Sequence, residues 1–166
     1  MRVPVGLYIV LRGKSVNNSF GVVRTDRRGN PQLHQGWDIA AFTGSPVYAI
    51  ADGKVEFVRD HKNNDLGKHI CLRFTHQGKT LFALYAHLNT FEVAAGQEVK
   101  EGQRLGTVGQ TGNARRQHHA EAHLHFEIRT KANAGPGLND RIDPMFVFGI
   151  GPVIDAIFTG LPGFEK

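Results

Sequence analysis

A mainly β fold is predicted by three features of this chain. Short runs rich in β-branched and aromatic residues recur along it, turn signals separate them at close spacing, and helical periodicity is weak throughout. Many short strands joined by such turns point to an all-β sandwich or sheet. The 166 residues suffice for one domain whose core needs no disulfide staple. That domain is assigned to residues 1–148, and 149–166 are left as a C-terminal tail.

The elements follow in order. Residues 1–11 carry an apolar run interrupted by Pro4 and read as a first strand; no small-residue cleavage site follows cleanly, so the segment is a poor signal peptide. Residues 17–33, with several Asn, Arg and Gly, read as a loop. Residues 46–50 and 53–58 are β-rich runs parted by the turn signal Ala51-Asp52-Gly53. Residues 69–75 alternate, with Ile70, Leu72 and Phe74 on one face, and 79–85 form the next strand; Gln77-Gly78 between them suits a hairpin turn. Residues 97–99 and 104–108 are linked through Lys100-Glu101-Gly102, and 123–129 make one more strand. Residues 110–122 and 131–143 read as loops, the second rich in Gly, Asn and Pro. The tail is apolar but broken by Pro152, Gly160, Pro162 and Gly163, and receives no assignment.

Composition narrows the function classes. The net charge of +5 and pI near 9.6 favour a polyanionic partner, either nucleic acid or an anionic cell wall. Apart from Arg27-Arg28 and Arg115-Arg116, however, the positive residues are scattered, and no aromatics are interleaved as stacking platforms. An ordinary solvated surface therefore outweighs a nucleic-acid site. Cys71, the single cysteine, lies in an apolar run and reads as a buried, inert thiol. No stretch approaches the roughly 20 apolar residues of a membrane span.

The chemistry concentrates in the histidines, of which there are nine. Side chains at i and i+2 of a strand share a face, so His123 and His125 would face one groove while Leu124 and Phe126 face the core. His34 and Asp38 are an even number of residues apart and can project to one side, with Gly36 keeping bulk off that face. A catalytic zinc needs three protein ligands and an open position, and two histidines with one carboxylate suffice. The remaining histidines could then act as general base and transition-state donor. The bland alternative has weight. His-x-His alone is explained equally well by ordinary satisfied histidines, and His-x3-Asp alone is explained better by them. Joined to His87 on β-type segments, the two pairs favour a metal site. His61, His69 and His76 read as structural or surface residues. No nucleophile elbow, P-loop or dinucleotide fingerprint competes.

In that order the motifs resemble those of the lysostaphin/LytM-type zinc metallopeptidases, which cleave peptidoglycan peptides. The matching segments are His34-Gln35-Gly36-Trp37-Asp38, Tyr85-Ala86-His87-Leu88 and His123-Leu124-His125-Phe126-Glu127. Between them, Gly44-Ser45-Pro46-Val47 with Ala51-Asp52-Gly53-Lys54-Val55 is similar to the family's first hairpin. The runs Gly96-Gln97-Glu98-Val99-Lys100-Glu101-Gly102-Gln103 and Gly109-Gln110-Thr111-Gly112-Asn113 are similar to its later turn and loop. The resemblance covers residues 18–148 in outline. It implies a mainly antiparallel β-sheet with a narrow active-site groove and one Zn2+. It also implies His34, Asp38 and His125 as metal ligands, with His87 and His123 as the catalytic, non-ligand histidines. One of those two would take a proton from the attacking water and the other would help stabilise the oxyanion. Tyr85 either lines the site or packs behind it.

There are departures. Trp37 stands where the family usually has a smaller aliphatic residue, and Phe20-Gly21-Val22-Val23-Arg24 is one residue longer than the usual Phe-Gly-x-Arg. The loop 114–122 is long and basic, and His118 or His119 would be a competing ligand if turned inward.

The implied function is a zinc-dependent endopeptidase hydrolysing cross-links or stem peptides of bacterial peptidoglycan. The alternative is a non-catalytic wall-binding or hydrolase-activating module on the same fold, since some relatives have lost their metal ligands. The intact ligand positions weigh against that alternative. A protease acting on ordinary proteins is a third, less favoured reading. The site of action would be the periplasm or the extracellular wall. Without a clear export signal, the expectation is a delivered antibacterial effector or lysin, possessing in the effector case an immunity or inhibitor protein as partner, or a domain trimmed from an exported precursor.

Overall fold

The computed structural model describes residues 1–61, 64–118 and 121–153. Twelve short strands, β1 to β12, run through it in chain order. The central sheet has seven strands. Its path is β12 (Arg141–Ile142), β11 (His123–Arg129), β7 (Lys79–Ala86), β6 (Lys68–His76), β5 (Gly53–Asp60) and β9 (Glu98–Val99), and β3 (Trp37–Ala40) pairs with β11 beside this path. A three-stranded sheet orders β4 (Pro46–Tyr48), β10 (Arg104–Val108) and β8 (Leu88–Phe91), and β1 (Gly21–Thr25) with β2 (Pro31–His34) makes a separate ribbon. All pairings between these strands are antiparallel.

Register explains how the core and the site fall on opposite faces. Ile70 pairs with Tyr85, and Tyr85 with Phe126; Leu72 pairs with Ala83, and Ala83 with Ile128. All six are buried in one apolar cluster, joined by Val47, Leu88 and Leu105 from the three-stranded sheet. With a side-chain period of two, the alternate residues of β11 must face the other way. They are His123, His125, Glu127 and Arg129, and all seven residues of β11 are buried. Tyr85 belongs to the core side: its hydroxyl accepts from the Ile50 backbone N–H at 3.1 Å and its ring packs edge-on against Phe126. Packing is its role, not lining the site.

The β6–β7 hairpin closes as expected. Gln77 and Gly78 both have positive φ, 48° and 74°, the conformation whose twist matches a two-residue antiparallel turn. Cys71 is fully buried, and that burial pushes its thiol up to about 12, which suits an inert group.

Three expectations need correction. Residues 131–143 are not all loop, because β12 pairs there with Ile128 and Arg129 of β11, a partner the local sequence does not show. Residues 17–33 are not all loop, because β1 and β2 form a hairpin there. The Asp26 carboxylate closes its turn, accepting from the Arg28 and Asn30 backbone N–H groups and the Asn30 amide. Most of the ribbon's residues are not buried, so it lacks the apolar alternation that marks a strand. Residues 1–11 make no strand. Their ladder contacts are isolated, Val5 with Val47, Val10 with Val153 and Leu11 with Ile39, and Pro4, with no N–H, and Gly6, turning through φ 67°, interrupt the run. The segment still delivers Val5, Ile9 and Leu11 to the core. Finally, Trp37 is accommodated by the chain's own far end: a short helix, α1 (Met145–Phe148), lays Phe148 on its ring at 5.9 Å and 20°. Residues 154–166, the greater part of the expected tail, lie outside the described residues. Among the described residues no helix is long and apolar enough to cross a membrane.

Candidate metal centre

The site begins with register. On β3 and β11, Asp38 is the direct partner of His125, and His125 pairs on its other side with Ala86, one residue before His87. Direct cross-strand partners hold their Cβ atoms roughly 5 Å apart, within reach of one shared atom. His34 ends β2, and the chain then crosses into β3 through Gly36. A Cβ on Gly36 would meet the Phe126 carbonyl oxygen at 2.2 Å and Glu127 Cγ at 2.9 Å. The glycine is therefore required by close approach to β11, rather than by clearance inside the groove.

The structure brings all five expected residues into one cleft of about 360 Å³. Ligand atoms of His34, Asp38 and His125 lie within 4.8 Å of one another. Asp38 Oδ1 sits 3.1 Å from His34 Nε2, 2.8 Å from His125 Nδ1 and 3.7 Å from His123 Nε2. The His87 ring lies 5.0 Å from that of His123 and 5.8 Å from that of His125. His118 is exposed and outside this cluster, and His119 lies outside the described residues.

Each histidine is oriented by what its remote nitrogen meets. A carbonyl can only accept, so the proton sits on the nitrogen facing it. His34 Nδ1–H donates to the Ser19 carbonyl at 2.7 Å, His87 Nδ1–H to Thr111 at 3.0 Å and His123 Nδ1–H to Glu121 at 3.0 Å. His87 and His123 thereby present an Nε2 lone pair to the cleft, and His34 Nε2 faces Asp38 Oδ1. His125 is reversed: its Nδ1 faces Asp38, and its Nε2 faces Glu127 Oε1 at 3.1 Å.

Behind His125 lies a buried ionic network that residue spacing alone did not assign. Glu127 is fully buried, and its Oε2 accepts from Arg129 Nε and Arg141 Nε, both at 2.7 Å. Burial would raise its pKa, but the hydrogen bonds and charges of His125 and Arg129 hold it well below the usual range. Arg141 also donates to the carbonyls of Gly135, Gly137 and Asn139, so the loop bordering the cleft is tied to His125 through one carboxylate. Part of this was legible, since Glu127 and Arg129 continue the even-spaced polar face of His123 and His125. Arg141 had no local signal.

Arg24 is the other residue missed. Its Nη2 holds Asp38 Oδ2 at 2.8 Å, leaving Oδ1 to the histidines. The extra residue in this segment is absorbed as a β-bulge: Val22 pairs with Leu33 and Arg24 with Gln32, so Val23 is skipped and Arg24 keeps its aim.

The electrostatics separate the groups. Burial disfavours charge on Asp38, yet hydrogen bonds from His125 and His34 hold its carboxyl well below the ordinary value. Burial likewise opposes charge on His125, but Asp38 and Glu127 on either side raise it to about 9. Burial together with neighbouring His125 and His123 drives His87 down to about 3, and burial lowers His123. A proton shared by His125 and Asp38 thus marks a place that favours positive charge, with His34 Nε2 aimed at it. Two imidazoles and one carboxylate are the donor set of a catalytic zinc, so the residues fit such an ion.

Comparison with known proteins agrees with this geometry. Residues 32–137 match the family described as Peptidase family M23. The chain is 36% identical over 95 residues to the peptidoglycan DD-endopeptidase ShyA of Vibrio cholerae, covering 57% of this chain and 20% of ShyA. Among solved structures it is similar to a zinc-containing peptidase from Vibrio cholerae, with a TM-score of 0.61 and 29% identity over 87% of this chain and 40% of that one. It is also similar to the catalytic domain of lysostaphin from Staphylococcus simulans, with a TM-score of 0.59 and 28% identity over 80% of this chain and 90% of that one. The chain spans about a fifth of the length of the first curated relatives it matches. This chain belongs to peptidase family M23 and has the antiparallel β fold of its lysostaphin-type members.

Proposed function

We propose that this chain is a zinc-dependent endopeptidase that hydrolyses peptide bonds of bacterial peptidoglycan, in cross-links or stem peptides. The observation that carries the reading is the convergence of His34 Nε2, Asp38 Oδ1 and His125 Nδ1 on one point, with two further histidines left over in the same cleft. In this reading those three atoms hold the zinc, and His87 and His123 are the catalytic residues. When bound, zinc supplies Lewis-acid polarisation of the scissile carbonyl and brings the pKa of a coordinated water to about 7.

The protein's own residues do the rest. His87 and His123 stay neutral at neutral pH, because their surroundings lower both. Each has Nδ1–H committed to a carbonyl, so each begins as an acceptor at Nε2. A histidine in that state takes the proton from the attacking water, and only then becomes a donor able to pass it to the departing amine. Protonated, the same Nε2–H can also donate to an oxyanion. Arg24 and Glu127 act as positioning residues. Arg24 occupies the second oxygen of Asp38, and Glu127 fixes the ring of His125.

Peptidoglycan is the proposed substrate because ShyA, a curated relative, is a peptidoglycan DD-endopeptidase. Such a substrate places the site of action in the periplasm or the wall; two other relatives are lipoproteins and one is a cell division protein. The test is digestion of purified peptidoglycan with and without a chelator, read by mass spectrometry, with His123→Ala as control. Chelator-sensitive loss of cross-linked species is expected and names the bond. Intact peptidoglycan from a zinc-loaded protein would overturn the reading in favour of a binding module.

A further inference from the structure

A second cavity, of about 590 Å³, adjoins the metal centre. Arg12 lines both spaces. The cavity wall also includes Ala122, which precedes His123, and Ala40, the cross-strand partner of His123. It therefore opens one residue from a proposed catalytic histidine. The rest of its wall is divided between residues 2–13, which lie outside the family-matched region 32–137, and residues 41–48, which lie inside it.

The lining has a distinct chemistry. Leu7 and Phe42 stand at its edge 79% and 82% exposed, an unusual outlay for large apolar side chains beside a cleft. Arg2 lies with its guanidinium 3.9 Å over the Tyr48 ring. Its Nε is buried and has no acceptor among the described residues, the one such buried side-chain atom there. Arg12 is braced by neutral acceptors, Gln117 Oε1 at 2.7 Å and Asn18 Oδ1 at 3.2 Å, which orient its charge without cancelling it. Glu121 stands 3.8 Å away and is largely exposed. Among the described residues no carboxylate lines the cavity itself.

We propose that this cavity is a substrate subsite for a carboxylate-bearing stem peptide flanking the scissile bond. Arg2 and Arg12 take the carboxylate, and Leu7, Phe42 and Tyr48 cover the aliphatic part. A cavity of this size with a largely apolar wall and two arginines in its lining suits a short acidic peptide. Peptidoglycan stems supply that chemistry, because their γ-linked glutamate and diaminopimelate residues keep free carboxylates. The inference rests on the peptidoglycan reading above and adds to it a preference for free-acid stems over amidated ones. The preference is carried by a segment outside the matched family region.

Binding is measured directly, so that the test does not depend on turnover. The zinc-loaded full chain is titrated by calorimetry with a stem tetrapeptide in its free-acid form and with the same peptide amidated at the glutamate and diaminopimelate carboxylates. NMR shift mapping on the same samples locates the contact. The free acid is expected to bind at least tenfold more tightly, with shifts at Tyr48 and Phe42. Arg2→Gln and Arg12→Gln should each erase most of that ratio, and Arg12→Lys should retain part of it. Zinc content and thermal midpoint of each variant report on folding. Equal binding of the two peptides, no binding of either, shifts confined to the metal centre, or a ratio that survives in folded Arg2→Gln would each overturn the subsite. Such a failure leaves chelator-sensitive peptidoglycan cleavage intact. Failure of that cleavage, with acid-selective binding preserved, would instead sink the parent reading.

Discussion

His125 and His87 lie with their ring centres 5.8 Å apart, and the protein supports them in opposite ways. His125 is in the middle of a strand, paired on both edges, with a carboxylate at each nitrogen. His87 stands at the break between β7 and β8 with a positive φ of 62°. Such a conformation costs a histidine about 1–2 kcal/mol. Its backbone is pinned there by a bond from its N–H to the Leu66 carbonyl and one from the Gly109 N–H to its own carbonyl, and its ring is fixed by Thr111. Among the described residues no carboxylate is hydrogen-bonded to it. The sheet supplies a residue whose surroundings favour positive charge, and the turn supplies one held neutral with a free lone pair. Neighbouring histidines with oppositely shifted pKa values are a recurrent way of dividing roles within one site.

The largest expected effect tests that division. His125→Ala and His34→Ala should lose zinc, seen as metal content near zero after gel filtration. His87→Ala and His123→Ala should keep their zinc and lose turnover by about 10²–10⁴-fold. Zinc loss from His87→Ala as complete as from His125→Ala would erase the contrast.

Next comes Glu127→Ala. It leaves Arg129 and Arg141 as buried cations without their carboxylate, a change that costs about 3–5 kcal/mol in such pairs. It also frees the His125 ring, so zinc affinity should fall about 10–100-fold in chelator competition. Unchanged denaturation midpoint and zinc affinity would show that the network behind the sheet side is dispensable. Gly36→Ala should be milder, destabilising by about 1–3 kcal/mol as the added methyl pushes β2 away from β11. Here a wild-type melting curve would show that the close approach can relax.

The smallest effect is on the pH dependence of the zinc-free protein. His87 is lowered from 6.5 to about 3, so between those values the unfolded chain binds more protons and stability falls as pH falls. His125 is raised from 6.5 to about 9, so over that window the folded chain binds more protons and stability falls as pH rises. Thermal midpoints should peak near pH 6.5 and decline on both sides. Zinc should flatten the alkaline limb, because the metal replaces the His125 proton there. Midpoints rising steadily from pH 6.5 to 9 without zinc would contradict the sandwiching of His125 between two carboxylates.

What could be read from the sequence was local. The alternation of His123, Leu124, His125 and Phe126 announces a two-faced strand, because a strand's side-chain period needs only its own residues. The same holds for Gln77-Gly78, where a two-residue turn carries its signal in its own conformation. The order of the His-x3-Asp, Tyr-x-His-Leu and His-x-His segments pointed to the fold and to one cleft. Tertiary structure decided what depends on partners far along the chain. Asp38 meets His125 through strand register across 87 residues. Arg141 reaches Glu127 from another strand, and Phe148 makes room for Trp37 from beyond the sheet. Arg24 keeps its aim only because Val23 bulges out of a ribbon whose exposed residues carry no periodic signal. The N-terminal segment looked like a strand by composition, yet a strand exists only where a neighbour's backbone answers it. Residues 1–11 meet such a neighbour one residue at a time, and so became the wall of a cavity instead.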